Sequence, residues 1–320
     1  MFTKAHIFLY QWYKKHGRHS LPWRNTDDPY HIWISEIMLQ QTQVKTVLER
    51  FYFPFLETFP ALQDLADADL DDVLKKWEGL GYYTRARNLH KAARRAAPLL
   101  PQTVQELEAL PGIGRSTAHA IAVFAYHTPV PIMDANVKRI LYRIFGIRKT
   151  TDKALWEYAY ELFDREHPYD YNQAMMDLGA MICSARSPQC TLCPFESICL
   201  GKNDPLAYPE KKQRKAVPIR QKKIIIHHQN GRYAMQQRRS RFLHGLWGFS
   251  EYESNEPLNS TKKLGNITQT YSHFRLEADV YLHQGAIEKH EWFTLEEIQT
   301  LALSGADHKA IKLLENSLPL

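Results

Sequence analysis

What this chain of 320 residues lacks narrows its chemistry before any motif is read. Cysteine is scarce: there are four, all between positions 183 and 199, so no disulfide framework runs through the chain. No apolar run approaches the roughly 18 residues that a membrane-crossing helix needs. The opening segment, MFTKAHIFLYQWYKKHG, has an apolar middle interrupted by His, Gln and Lys, with no small-residue cleavage site after it. It reads as an amphipathic first helix of a cytoplasmic protein, not as a secretory leader. Internal repeats and low-complexity tracts are absent. One-sided charge is nearly absent too: residues 1–204 carry 24 Lys+Arg against 23 Asp+Glu, and residues 224–320 carry ten against eleven. The net excess of +6 sits mostly in residues 205–223, PLAYPEKKQRKAVPIRQKK, with seven basic residues against one acidic. That stretch reads equally as a solvated linker or as a strap near phosphates.

What is present falls into two parts. Up to about residue 200, apolar residues recur three and four apart, as in Ile34, Ile37, Met38 and Leu155, Tyr158, Ala159, Leu162, with Pro and Gly between segments. This is the period of helices. After the basic stretch, KKIIIHH, RYAMQQ and LEADVYLHQ read as short strands, with turns at Gln229-Asn230-Gly231 and His244-Gly245. One last helix is expected over about 295–316. The fold class is therefore multidomain, an all-α body followed by an α/β domain.

Three motifs carry chemistry. Cys183-x6-Cys190-x2-Cys193-x5-Cys199 gathers four thiols within 17 residues, short enough to close on one metal centre. A four-cysteine zinc site is the general alternative, but such sites come as two paired knuckles and only Cys190/Cys193 is such a pair. Leu110-Pro-Gly-Ile-Gly-Arg-Ser-Thr-Ala118 opens an apolar helical run, HAIAVFAY. A glycine-rich turn there points free amides and a positive dipole end outward, and Gly112 and Gly114 let the backbone approach a phosphate; an ordinary helix-start turn is the plainer reading. Asp134, in Pro131-Ile-Met-Asp-Ala-Asn136, follows about 20 residues later and would also serve as a helix cap.

The cysteine spacing, and the hairpin about 70 residues before it, resemble the endonuclease III (helix-hairpin-helix) superfamily of DNA glycosylases. That resemblance implies a [4Fe–4S] cluster on Cys183, Cys190, Cys193 and Cys199, with Gly112, Gly114 and Ser116 at a DNA phosphate. It implies that Asp134 faces the sugar of a flipped nucleotide, where a carboxylate stabilises oxocarbenium character. Bifunctional members carry Lys where this chain has Ser116; a hydroxyl cannot form an imine, so water must displace the base. A purine leaves readily once protonated, and Glu36, in the apolar helical string Trp33-Ile-Ser-Glu-Ile-Met-Leu-Gln-Gln-Thr42, offers the general acid through a desolvation-raised pKa.

That string, with Leu21-Pro-Trp-Arg24, Gly79-Leu-Gly-Tyr-Tyr83 and Asn172-Gln-Ala-Met-Met-Asp-Leu-Gly179, closely resembles the adenine DNA glycosylases, the MutY branch of the superfamily. The resemblance implies removal of adenine mispaired with 8-oxoguanine or guanine in base excision repair. It makes Glu36 the acid, Asp134 the stabiliser of the cationic sugar, and Asn136 a support. Arg24 and Gln173 would contact adenine, and Gln41, Leu80 and Tyr82 would fill the gap left in the duplex. Arg85, Arg87, Lys91, Arg94 and Arg95 read as a phosphate-facing patch or a solvated face. The expected partner is mispaired double-stranded DNA, the expected state a monomer, and the expected location cytoplasmic, on the nucleoid.

The implied domains are 1–204, with a six-helix part about 23–130 and a cluster part of 1–22 plus 131–204, then the linker 205–223, then a Nudix-like 8-oxoguanine recognition domain over 224–320. Gln237-Arg-Arg-Ser-Arg-Phe-Leu-His-Gly-Leu-Trp-Gly-Phe249 resembles the opening of such a domain. A Nudix hydrolase needs a Gly-x5-Glu-x7-Arg-Glu pattern; Gly245 and Glu251 share only the first spacing, Asn259 breaks it, and the domain is expected to bind without hydrolysing. Tyr271-Ser272-His273 stands where the family has Phe-Ser-His beside the oxidised guanine. Two departures bear on the site. Ala135 replaces a usual Gly, which would strain the backbone if φ were positive, and Ser116 replaces a Tyr found in some members. Competing readings are a glycosylase/lyase of the endonuclease III type and a non-catalytic iron–sulfur DNA-binding protein.

Overall fold

The computed structural model describes residues 2–210, 216–254 and 261–318. Asn259 and part of the basic linker therefore lie outside the described residues. The chain gathers into two compact units, one of residues 1–47, 61–63 and 95–213, the other of 48–60, 64–94 and 214–320. No helix among the described residues is long and apolar enough to cross a membrane.

The regular elements of the first unit are all helices, and no strand occurs among its described residues. The helix Pro29–Leu39 starts where Asp28 accepts hydrogen bonds from the amides of Tyr30 and His31 and Pro29 takes the first position. Seven of its eleven side chains are buried, so it is a core helix, not an amphipathic surface one. It packs against Arg115–Tyr126, whose run Thr117–Phe124 is wholly buried. A second core joins Leu9, Tyr13, Leu141, Tyr171, Leu178 and Phe195, drawn from the helices Thr3–His16, Ala135–Ile144 and Pro168–Met181 and from the cysteine loop.

The second unit combines short helices with a seven-stranded mixed sheet in the order β3-β2-β1-β6-β5, with β4 on β1 and β7 on β2. The strands are β1 Ile219–Gln229, β2 Arg232–Gln237, β3 Trp247–Gly248, β4 Ser250–Glu253, β5 Thr261–Thr270, β6 Arg275–Gln284 and β7 Glu291–Phe293. β1 runs parallel to β6, from Ile219↔Arg275 to His228↔Gln284, and antiparallel to β2. The β1–β2 turn has Asn230 and Gly231 at positive φ (51° and 75°), the left-handed pair that a two-residue hairpin requires.

The single helix expected over about 295–316 is two helices, Leu295–Thr300 and Gly305–Glu315. The chain is extended at Leu301 (ψ 150°), and Ser304 starts a new helix with a reciprocal capping box to Asp307. Apolar periodicity runs through this break and hid it.

Candidate active site and cluster loop

One cavity of the first unit, about 600 Å³, is lined by Arg24, Glu36, Gln41, Ser116, Asp134, Asn136 and Gln173, residues read separately from the sequence. Gly112 and Gly114 lie in the turn entering Arg115–Tyr126: Gly112 has φ +80°, while Gly114 is an extended N-cap with nothing within 4 Å of a Cβ built on it, so that face is open.

Glu36 sits on the one side of its helix turned to the cavity. Burial, reinforced by the Asp134 charge and opposed by Arg24, pushes its carboxyl up to about 7. Asp134 caps the helix Ala135–Ile144, accepting from the Val137 amide at 2.7 Å and from Asn136 Nδ2 at 3.2 Å. Burial raises its pKa as well, but those hydrogen bonds and Arg139 work against it. Burial is the largest influence on both carboxyl groups, but Asp134 has hydrogen-bond donors opposing it whereas Glu36 has only the Arg24 charge. Ala135 is the first residue of its helix and is not among the residues with positive φ, so its Cβ strains nothing.

Several contributors were not read from the sequence. Arg24 does line the cavity, yet its guanidinium is fixed bidentately on Asp177, at 2.8 Å for both bonds, and Arg18 adds a third arm at 2.6 Å. Asp177 is fully buried, and these guanidinium partners hold its carboxyl below the usual range although burial acts to raise it. Asn172 braces the strand-like approach to Asp134, accepting from the Ile132 amide at 2.7 Å and donating to the Val130 carbonyl at 3.0 Å. Arg139 donates to Asn136 Oδ1, to the Gly179 carbonyl and to the Cys183 carbonyl. Only a glycine fits at 179, because a Cβ there would meet Asn136 Cβ at 2.6 Å. Gln173 is buried, and its Oε1 has no hydrogen-bond partner.

The four cysteines are free thiols lining one cavity with Arg143, Ile182 and Pro205. Arg143, buried, donates to Cys183 Sγ at 3.2 Å and to the carbonyls of Cys183, Ser184 and Pro205, which orders the loop. No three of the sulfurs lie within 4.8 Å of one another; among the described residues only Asp164, Glu166 and His167 form such a group, and Asp164 already accepts from Tyr10. A tetrahedral zinc with bonds of about 2.3 Å needs sulfurs about 3.8 Å apart. The four thiols on one cavity are a donor set that a multi-iron cluster could use.

In the second unit, a cavity of about 750 Å³ brings Tyr82, Tyr83 and Arg87 to the loop Tyr271-Ser272-His273 between β5 and β6, with Arg220, Arg241 and Phe242. Ser272 and His273 are exposed, and Tyr271 packs edge-on against Phe242 at 5.0 Å between ring centres. Leu80 is buried and Tyr82 is 44% exposed, so only the tyrosine offers its ring to solvent. Gln41 and Tyr82 share a strained feature, left-handed backbone at φ 58° and 50°. Within the basic string, Arg87 donates to the His244 carbonyl at 2.6 Å and Arg85 to the carbonyls of Leu80 and Gly81, so these two are used inside the fold. Glu251 is paired with Arg238 at 2.9 Å.

Residues 34–165 match the model of the HhH-GPD superfamily base excision DNA repair protein, and residues 223–313 match the NUDIX domain model. The chain is 34% identical to the adenine DNA glycosylase of Buchnera aphidicola subsp. Acyrthosiphon pisum, with 95% of each chain covered. It is 31% identical to the human adenine DNA glycosylase, covering 97% of this chain and 74% of that one. Among solved structures, a thermostable thymine-DNA glycosylase is similar with a TM-score of 0.58 and 28% identity, over 62% of this chain and 97% of that one.

Proposed function

The chain belongs to the adenine DNA glycosylase family and is a DNA N-glycosylase; from that premise we propose that it removes adenine paired with 8-oxoguanine or guanine by water displacement, without lyase chemistry. The observation that carries this is the pair of unlike carboxyl groups on one cavity, with Glu36 held near pKa 7 beside a donor-solvated Asp134. Glu36 protonates the flipped adenine, weakening its bond to the sugar, and then accepts a proton from water. Asp134 faces the sugar and stabilises its developing positive charge, with Asn136 and Arg139 keeping it oriented. The unpartnered Gln173 Oε1 suits the exocyclic amino group of adenine, and Arg24, locked on Asp177, forms a rigid wall beside it. Gln41 and Tyr82 wedge into the duplex with Leu80 anchoring the turn beneath, while Gly112, Gly114 and Ser116 receive a phosphate at the helix start.

Cys183, Cys190, Cys193 and Cys199 hold a [4Fe–4S] cluster that, when bound, fixes their loop as a structural staple. Residues 1–204 act as the catalytic region, 205–223 as a linker, and 224–320 as the domain that reads 8-oxoguanine through Tyr271, Ser272 and His273. Ser116 in the lyase position disfavours the endonuclease III type of reaction.

The test is a panel of duplexes carrying adenine opposite 8-oxoguanine, guanine or thymine. Base release opposite the first two, with strand breaks only after alkali and no borohydride-trapped adduct, is the expected result. A trapped adduct, or no adenine release from cluster-loaded protein, would overturn the reading.

A further inference from the structure

The break Leu301–Ser304, which replaces the single helix expected from the sequence, is the meeting point of two functional loops of the second unit. On one side stands the turn Gly79–Tyr82. Its backbone is left-handed at Gly79 (φ +90°), Gly81 (φ +78°) and Tyr82 (φ 50°), a conformation that surrounding contacts must maintain. Trp77 Nε1 donates to the Gly81 carbonyl at 3.1 Å, and Arg85 to the carbonyls of Leu80 and Gly81. The Tyr83 hydroxyl accepts from the Gly79 amide at 3.3 Å and donates to the Leu303 carbonyl at 3.2 Å.

Glu78, immediately before the turn, makes the stronger link. Its Oε1 accepts from the Leu303 amide at 2.7 Å and from His308 Nε2 at 2.8 Å; its Oε2 accepts from Lys75 Nζ at 2.9 Å, which also donates to the Leu301 carbonyl. Burial acts to raise the Glu78 carboxyl, but these donors outweigh it and keep it below its ordinary value, hence ionised. Charge-assisted bonds of this kind are about twice as strong as neutral ones.

On the other side stands the loop Tyr271–His273. Tyr271, Ser272 and His273 line one cavity with Ser304 and Gly305, where the last helix begins. Ser304 Oγ donates to Asp307 Oδ2 at 2.5 Å, and Asp307 is fully buried and paired with Arg238 at 2.9 Å. That pair fixes the break to the sheet, since Arg238 also donates to the Trp247 carbonyl. Turn, break and loop line the same cavity.

We propose that Glu78 is a positioning residue: it ties the Tyr82 turn to the Leu301–Ser304 break, whose end lines one cavity with the base-reading loop, so the base read opposite adenine sets the pose of the wedge. This rests on the adenine-glycosylase reading above. A rigid clasp transmits a displacement at the loop to the turn, whereas two independently mobile loops would not.

The test uses the cluster-loaded full chain and its variants Glu78→Gln and His308→Gln. Single-turnover adenine release opposite 8-oxoguanine and opposite guanine gives a rate ratio for each. A 2-aminopurine beside the oxidised base reports unstacking by the wedge. Glu78→Gln is expected to lower the ratio about tenfold, the scale of a typical coupling between sites, and to reduce the 2-aminopurine signal. Should Glu78→Gln fold poorly, His308→Gln removes one arm only and should move the ratio in the same direction. Equal slowing on both substrates, or an unchanged ratio, would overturn the clasp. Wild type without any preference for 8-oxoguanine would overturn the underlying reading, and the clasp with it.

Discussion

Glu36 and Asp134 are the same kind of group given different environments. Because the Glu36 carboxyl is pushed up to about 7, the folded protein binds a proton there that the unfolded chain releases near its ordinary value of 4.5. The stability tied to that proton is complete below the unfolded value and is lost as pH rises through about 7. Glu36→Gln cannot ionise, so its Tm relative to wild type should climb between pH 5 and pH 8; a constant difference would contradict a raised pKa. Asp134 has two roles that substitutions separate. Asn caps helices as well as Asp, so Asp134→Asn should abolish most base release with little change in Tm, whereas Asp134→Ala also loses about 1 kcal/mol of cap. Both carboxyl residues were legible in the sequence because their motifs are local. Asp177 was not: its partner Arg24 is 153 residues away, and nothing local marks an ion pair of that span.

Among elements, the helix Pro168–Met181 shows what a pattern conveys and what it omits. Its period announced a helix, but not that Gly179 is the point where Asn136 presses against it. Gly179→Ala places a Cβ 2.6 Å from Asn136 Cβ, a contact the backbone must relieve by moving. Overpacking of this type costs about 1–3 kcal/mol, and here it displaces the helix start that carries Asp134. Thermal unfolding and base release should therefore fall together, and unchanged values for both would show the contact to be slack. The terminal helix misled in the opposite sense. Its apolar spacing continues across Leu301–Ser304, and only the Ser304/Asp307 capping box, present in the sequence but unweighed, announces a second start.

Across the whole molecule, the sequence showed a helical body, a strand-rich end and a cysteine loop, and the chain has all three. It did not show that residues 48–60 and 64–94 gather with the C-terminal sheet into one compact unit, because a linear reading has no access to discontinuous packing. The Arg238–Asp307 pair sits inside that unit. Arg238→Met leaves Asp307 buried and uncompensated, a loss of about 3–5 kcal/mol that should appear as an early unfolding transition.

Under the proposed function, a protonated Glu36 drives base removal. Its most direct test is the pH dependence of adenine release opposite 8-oxoguanine at sub-saturating enzyme, which reports the free protein's groups. The expected rate is level in mild acid and falls as pH rises through about 7, with Glu36→Gln slower by about 10²–10⁴-fold and lacking that fall. A Glu36→Gln variant that retains wild-type rates, or a wild-type profile with no fall near neutrality, would contradict it.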